Sequence, residues 1–439
     1  MTRGSIARSL ILFAVPLLLG NLLQQFYNAV DSSVVGNYVS YEALAAVGST
    51  APLINMLISL AQGLAQGASV MISRHYGSGD VKALRGTMNT SIMLSLIVGV
   101  FLSAVGFVFC PGLLRFMGTP EDIMEGATLY LRIVFAGLIF TSLYNTGASI
   151  LTAVGDSRRP LYFLAVSALL NVAGDLLLVR VLSLGIAGVA IATVFAQIVS
   201  VILVGFVLVR TKEDYRLTLR AVKIETEHVK TIASIGVPTA IQNTIISLSN
   251  VMVQSYFNGL GAVAVAGFAA SSKIDAFAQL PIMTMAMAIS TFVAQNIGAG
   301  QAKRARSGVK YAMLIGIGTT LVLTAFAFLT TRQLLSVFTN DDKVLAAGMT
   351  FFHTMAPFYI TLTCTQILPG ALRGVGDVKF ATISTIACFV VLRQIYLAVI
   401  TRIGGGAFYT IVNVSLGYPV TWGICAISVL IYYRSKKIS

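Results

Sequence analysis

Two aspartates stand where a carboxylate is costly. Of the 16 acidic residues in the 439-residue chain, 13 fall between apolar runs or at their ends, while Asp31 and Asp175 lie within them. Asp275 is an intermediate case, two residues from Lys273. An ionised side chain at membrane depth is expensive and marks a proton or ion pathway or a structural ion pair. Arg132 and Arg180 are the candidate structural partners, and Lys273 is the candidate partner of Asp275. Asn171 precedes Asp175 by four residues, so the two share one helical face, and Thr193 adds a neutral oxygen from the next apolar run. Two carboxylates with oxygen-rich neighbours suit a shared proton or a hard monovalent cation. Arg393, deep in another run, has the chemistry to bind a carbonyl or a substrate.

A second pattern is amphipathic in the unusual sense, polar on one face and apolar elsewhere. Asn21, Gln24, Gln25, Asn28, Asp31 and Ser32 recur at three- and four-residue steps in the first run, and Asn55, Ser59, Gln62, Gln66, Ser69 and Ser73 in the second. Asn243, Ser247, Asn250 and Gln254 repeat the stripe later. Amides turned towards lipid would go without hydrogen bonds, so such stripes either bond across helix interfaces or line a water-filled cavity. Their length favours the cavity. Its candidate lining is Gln24, Asn28, Gln62, Asn145, Gln242, Asn243, Asn250 and Gln366.

The elements that must carry these residues follow from composition. With 56% hydrophobic and 10% charged residues, a soluble globular protein is excluded, since about a quarter of such a chain is charged. About 20 apolar residues make one helical crossing. Twelve runs satisfy that pattern, near 10–37, 44–73, 88–110, 124–151, 161–181 and 185–209, then 232–257, 262–293, 309–331, 345–372, 380–401 and 408–433. The expected fold is an all-α polytopic membrane protein of twelve transmembrane helices. The net charge of +14 sits in short loops, which points to orientation and anionic headgroups; no nucleic-acid module appears. Placing both termini inside puts 22 of the 30 Lys and Arg on the cytoplasmic side, Arg220, Lys223 and Lys437 among them, against 5 outside.

The chain is also duplicated. Gly77-Ser78-Gly79-Asp80 with Lys82 and Arg85 returns as Gly298-Ala299-Gly300-Gln301 with Lys303 and Arg306, 221 residues later. Leu151, Val154, Gly155 and Asp156 return as Leu372, Val375, Gly376 and Asp377 at the same displacement, and Pro16 matches Pro238 at 222. Six crossings per half make the repeats parallel, as in some transporter folds. The expected division is an N-terminal lobe 1–209, a charged cytoplasmic linker 210–231 and a C-terminal lobe 232–439 around a central cavity. Pro16 and Pro238 should bend their helices. The four cysteines lack metal or redox spacing, Gly404-Gly405-Gly406 reads as an outer loop, and no nucleotide motif or catalytic constellation supports an enzyme.

Val30-Asp31-Ser32-Ser33-Val34-Val35-Gly36, followed by Ala43-Leu44-Ala45-Ala46-Val47-Gly48, resembles the first-helix signature of the multidrug and toxic compound extrusion (MATE) transporters. Leu170-Asn171-Val172-Ala173-Gly174-Asp175 and Leu184-Gly185-Ile186-Ala187-Gly188-Val189-Ala190-Ile191-Ala192-Thr193 resemble that family too, and the twelve-helix, two-lobe pattern extends the likeness over essentially the whole chain. The resemblance implies an antiporter in the cytoplasmic membrane, exporting organic cations and other amphipathic compounds against inward H⁺ or Na⁺, with no further cofactor and as a monomer. In the DinF-like branch it implies a coupling site of Asp31, Asp175, Asn171 and Thr193, with Tyr130 added and with Na⁺ as the alternative occupant of the first four. The seventh and tenth crossings carry Gln242, Asn243, Asn250, Thr363 and Gln366 but no acid, which departs from the NorM-like branch. The rival readings are a flippase for lipid-linked sugars and, in another class, an ion channel.

Overall fold

The computed structural model describes residues 1–117, 119–218, 224–403 and 409–436, apart from the side chains of Tyr41 and Ile403. Part of the charged linker, the basic residues Arg220, Lys223 and Lys437, and the Gly404–Gly406 loop therefore lie outside the described residues. The described chain is nearly all helix: α1 (Ile6–Tyr38), α2 (Tyr41–Ser78), α3 (Val81–Phe116), α4 (Glu121–Ala136), α5 (Leu138–Ala153), α6 (Arg158–Asp175) and α7 (Gly185–Arg210). There follow α8 (Thr226–Asn258), α9 (Ala262–Gly298), α10 (Ala302–Leu329), α11 (Thr331–Ser336), α12 (Asp342–Met355), α13 (Tyr359–Val375), α14 (Lys379–Ile386), α15 (Arg393–Ile403) and α16 (Ile411–Ser435).

In their described residues all twelve apolar runs are mainly helical, though four are interrupted well inside their length. Run 124–151 is α4 and α5 with a 45° bend between them. Run 345–372 is α12 and α13 joined by a 3₁₀ turn at Ala356–Phe358. Runs 161–181 and 380–401 each contain a six-residue π-helical stretch, Leu176–Val181 and Ala387–Leu392. Among the described residues nine helices are long and apolar enough to cross a membrane, ten with the bent α4–α5 pair. α8, with its amides and hydroxyls, is less apolar than these, and α12 and α13, of 14 and 17 residues, are each shorter than one crossing.

The duplication is written into the helix starts. α2 and α9 begin at 41 and 262, α3 and α10 at 81 and 302, α4 and α12 at 121 and 342, α5 and α13 at 138 and 359, α6 and α14 at 158 and 379. The repeated glycines explain why the motifs recur. Gly79 and Gly300 have φ of 72° and 70°, and Gly155 and Gly376 have 100° and 91°. A left-handed residue ends a helix cheaply only if it lacks a Cβ. After Gly79, Asp80 caps α3 by accepting from the Ala83 N–H at 2.9 Å.

By internal packing the chain forms two units, Val15–Ala240 and Met1–Ala14 with Ile241–Ser439. These divisions fall inside α1 and α8, beside Pro16 and Pro238. The helix of α8 begins at Thr226, so the last six residues of the expected linker are already helical. Within the first unit α2 packs on α3, α4 and α5, and α7 on α4, α5 and α6. Within the second, α9 packs on α10, α12 and α13, and α16 on α12, α13 and α14. Small residues allow the close crossings: a Cβ on Gly63 of α2 would stand 2.4 Å from the Ala240 Cβ. Dispersion between tightly fitted backbones takes the place that the hydrophobic effect holds in water.

Candidate functional site

Asp31 and Asp175 meet inside the first unit. Asp31 is half-buried on α1, between Val30 and the buried pair Val34 and Val35, which pack with Tyr130, Val179 and Val189. Asp175 is the last residue of α6, with 0% of its surface exposed. The π-helical stretch begins immediately after it. π turns interrupt the regular i→i−4 ladder and are frequent at functional sites. The close approach of α6 and α7 rests on glycine, since a Cβ on Gly174 would lie 3.1 Å from the Ala192 Cβ, and one on Gly188 3.1 Å from the Leu178 carbonyl carbon. That approach brings Asn171 to Thr193.

The two carboxyls face each other within hydrogen-bonding reach. Asp31 Oδ1 and both Asp175 oxygens are buried, and among the described residues no group donates to them. Two ionised carboxylates have no hydrogen to share, so their contact is satisfied only by a proton held between them or by a cation. Around them the unused atoms are acceptors as well. Asn171 Nδ2 donates to Thr193 Oγ1 at 3.4 Å, and Thr193 Oγ1 donates to the Val189 carbonyl at 3.0 Å. That leaves Asn171 Oδ1 buried without a donor, and Gln197 Oε1 likewise. Asn171, Thr193, Gln197, Ser167 and Tyr27 line a cavity of ≈ 10 Å³, on the scale of a single water. Tyr130, 8% exposed, packs with Val34, Val35, Val179 and Val189 beside the pair.

The candidate structural partners are engaged elsewhere. The Arg132 guanidinium lies over the Phe107 ring at 5.6 Å and that of Arg180 over Tyr38 at 5.5 Å. Asp275 does not pair with Lys273, which is exposed; it accepts from Gln279 Nε2 at 2.6 Å and from the Tyr359 hydroxyl.

Of the candidate cavity residues, the first unit holds Gln24 and Asn28, both exposed on the Asp31 helix, and Gln62 and Asn145, both half-buried. The second unit holds the rest. Gln242 Oε1 accepts from Thr382 at 3.2 Å and Asn250 Oδ1 from Arg393 at 3.3 Å, so these two amides bond between helices. Asn243 and Gln366 are half-buried. A second cavity in the first unit, also ≈ 10 Å³, is lined by Ser91, Ser95, Ser142 and Thr146 with apolar neighbours and by none of the candidates.

Tyr27 and Gln197 belong to the site without having been singled out in the sequence. Both carry a signal in retrospect: Tyr27 precedes Asp31 by four residues, and Gln197 follows Thr193 by four, one helical turn in each case.

With that geometry in view, comparison with known proteins is decisive. The MatE family profile matches residues 16–177 and again 238–399, stretches whose starts are 222 residues apart, as the duplication requires. The chain belongs to the MatE family. The probable multidrug resistance protein YoeA of Bacillus subtilis is 30% identical over 99% of this chain and 94% of its own length. A protein of Shewanella oneidensis named as an FAD transporter is 26% identical over 99% of this chain and 95% of its own. A solved structure, described as the outward-facing conformation of a multidrug resistance MATE family transporter, superposes with a TM-score of 0.92 at 24% identity, covering 99% of this chain and 96% of the other. A MOP superfamily transporter from Pyrococcus furiosus gives the same score, identity and coverage. The all-helical fold with two repeated lobes is thus that of MATE transporters, and the chain is a multi-pass membrane transporter of a multidrug efflux family.

Proposed function

We propose that this MATE protein is a secondary antiporter that exports organic cations and amphipathic drugs in exchange for inward H⁺ or Na⁺. The observation that carries the reading is the donor-free contact of Asp31 and Asp175. A carboxylate pair whose buried oxygens receive no donor is incomplete until it takes up positive charge. Loading supplies a proton between the carboxyls, or a Na⁺ held by Asp31, Asn171, Asp175 and Thr193, with Tyr130 and Tyr27 closing the pocket. Unloading restores the repulsion. The two states differ in net charge, which gives the lobes a reason to repack and release a bound cation in alternating access. Gln24, Asn28, Gln62, Asn145, Gln242, Asn243, Asn250 and Gln366 would meet the substrate. No other cofactor is required. The protein would act as a monomer in the cytoplasmic membrane, with both termini inside as the basic residues direct.

The test is efflux of ethidium from proteoliposomes with H⁺ and Na⁺ gradients imposed separately. Export driven by one of them, and lost with Asp31 and Asp175 both changed to Asn, is the expected result. Wild-type rates in the double variant would refute the coupling role. Equal rates with no gradient would point to a channel.

A further inference from the structure

The second unit holds a charge that the coupling reaction does not use. Arg393 is 1% exposed, and it is the first residue of α15, directly after the π-helical stretch Ala387–Leu392. Ser249 on α8 donates to the Phe389 carbonyl at 2.8 Å, and so satisfies a carbonyl within the interrupted turn. The guanidinium stacks over the Tyr418 ring at 4.4 Å and lies 5.1 Å from the Phe389 centroid. Tyr418 adjoins Trp422, which adjoins Tyr359, with 5.9 Å between centroids in both pairs.

What Arg393 lacks is an anion. Its Nη1 donates to Asn250 Oδ1 at 3.3 Å and its Nη2 to Thr421 Oγ1 at 3.4 Å, both long bonds to neutral oxygens. Nε is buried without an acceptor. Among the described residues no carboxylate forms an ion pair with it. The nearby acid, Asp275, is committed to Gln279 and Tyr359. A buried charge is normally paired, because desolvation without a counter-ion is costly. Guanidinium presents a fork that matches two oxygens of a carboxylate or phosphate. Asn250 is exposed and Tyr418 is half-buried, so the guanidinium lies one side chain beneath the surface, behind a polar amide and an aromatic ring.

We propose that Arg393, with Asn250 and Thr421 beside it and Tyr418 beneath it, is a subsite for the oxyanion of an aromatic substrate. The carboxylate or phosphate displaces the long bonds to the neutral oxygens and pairs with the fork, while the attached ring stacks against Tyr418. The substrate range therefore extends beyond organic cations to planar aromatic anions. This rests on the export reading for its biological use but not for binding.

Trp422 is the one tryptophan of the chain, and its neighbour is Tyr418, so contact quenching by nitroaromatic compounds reports on this site. The probes are 4-nitrobenzoate, neutral 4-nitrobenzamide and cationic 4-nitrobenzylamine, titrated onto the full-length protein in nanodiscs of zwitterionic lipid. The anion should quench at about tenfold lower concentration, or less, than the amide, as a charge-assisted bond implies, with the amine weakest. Arg393→Gln should abolish the difference, and Arg393→Lys should keep part of it, since charge survives and the fork does not. Equal quenching by the three compounds in the wild type overturns the site with no variant needed, so a misfolded variant does not rescue it. Undiminished selectivity in Arg393→Gln overturns it as well. Loss of anion quenching when phosphatidylglycerol is included would assign the oxyanion to a lipid headgroup and overturn the substrate reading. Ethidium efflux by the same wild-type preparation tests export separately: absent efflux with intact anion selectivity would sink the antiporter and leave the subsite standing.

Discussion

Asp175→Asn is the sharpest perturbation of the coupling site. In the native pocket both Asp175 oxygens lack a donor and face Asp31. Two unit charges at ~4 Å with an effective dielectric of ~20 repel by roughly 4 kcal/mol, so the doubly ionised pair does not persist without a proton or cation. Asparagine occupies nearly the same volume, removes one charge and brings an N–H that can reach an Asp31 oxygen. A hydrogen bond to a charged group contributes about 1.5–3 kcal/mol. The variant should therefore fold, melt no lower than the wild type in detergent, and lose the part of the pH or Na⁺ dependence of its melting temperature that the carboxylate pair supplies. Gradient-driven ethidium efflux should fall to the level of empty liposomes, because the new N–H holds Asp31 in its ionised form and the repulsion that a proton or Na⁺ relieves in the native pair is gone. The measurements are thermal unfolding over a grid of pH and Na⁺, and efflux from reconstituted vesicles. A variant that melts several degrees lower while still exporting at the wild-type rate would show that Asp175 is a structural residue, and the reasoning would fail.

Asp31→Asn should weaken or abolish efflux by the same route, read in the same vesicle assay. Asn171→Ala removes the donor to Thr193 and a buried oxygen; it should cost about 1 kcal/mol of stability and reduce coupled efflux more than that loss accounts for, which unfolding and efflux measured together would show. Gly63→Ala puts a methyl 2.4 Å from the Ala240 Cβ, whereas Gly48→Ala meets nothing within 4 Å. The first should destabilise by about 1–3 kcal/mol and the second should not, as compared by thermal melting. For topology, cysteines at Asp214 and Ser435 should react only with reagents that enter the cytoplasm, and one at Asn340 with impermeant reagents from outside; labelling of position 214 in intact cells would overturn the orientation.

The sequence by itself determined the elements and their duplication, because both depend on local chemistry. A membrane span is a run of apolar residues, and all twelve runs proved mainly helical in their described residues. The repeated turns are legible because a left-handed helix end needs glycine, so Gly79, Gly155, Gly300 and Gly376 had to recur wherever the fold recurred. Asp31 and Asp175 stood out because their cost in an apolar run is a property of the residue and not of its neighbours. Pairing was another matter. That Asp31 faces Asp175 and not Arg132 depends on how α1 packs against α6, where a Cβ on Gly20 would lie 3.6 Å from the Leu164 side chain, and on the valines around Asp31. The same holds for Asp275, whose sequence neighbour Lys273 points away while Tyr359, 84 residues distant, supplies the hydroxyl. The signal of Tyr27 and Gln197, a polar residue one turn from Asp31 and from Thr193, could not be used for the same reason, since it means nothing until the facing helix is known. Only the tertiary structure divided the chain inside α1 and α8 and left the Arg393 guanidinium buried without a counter-ion. A sequence shows that a charge is costly; what compensates it is decided by which helices pack around it.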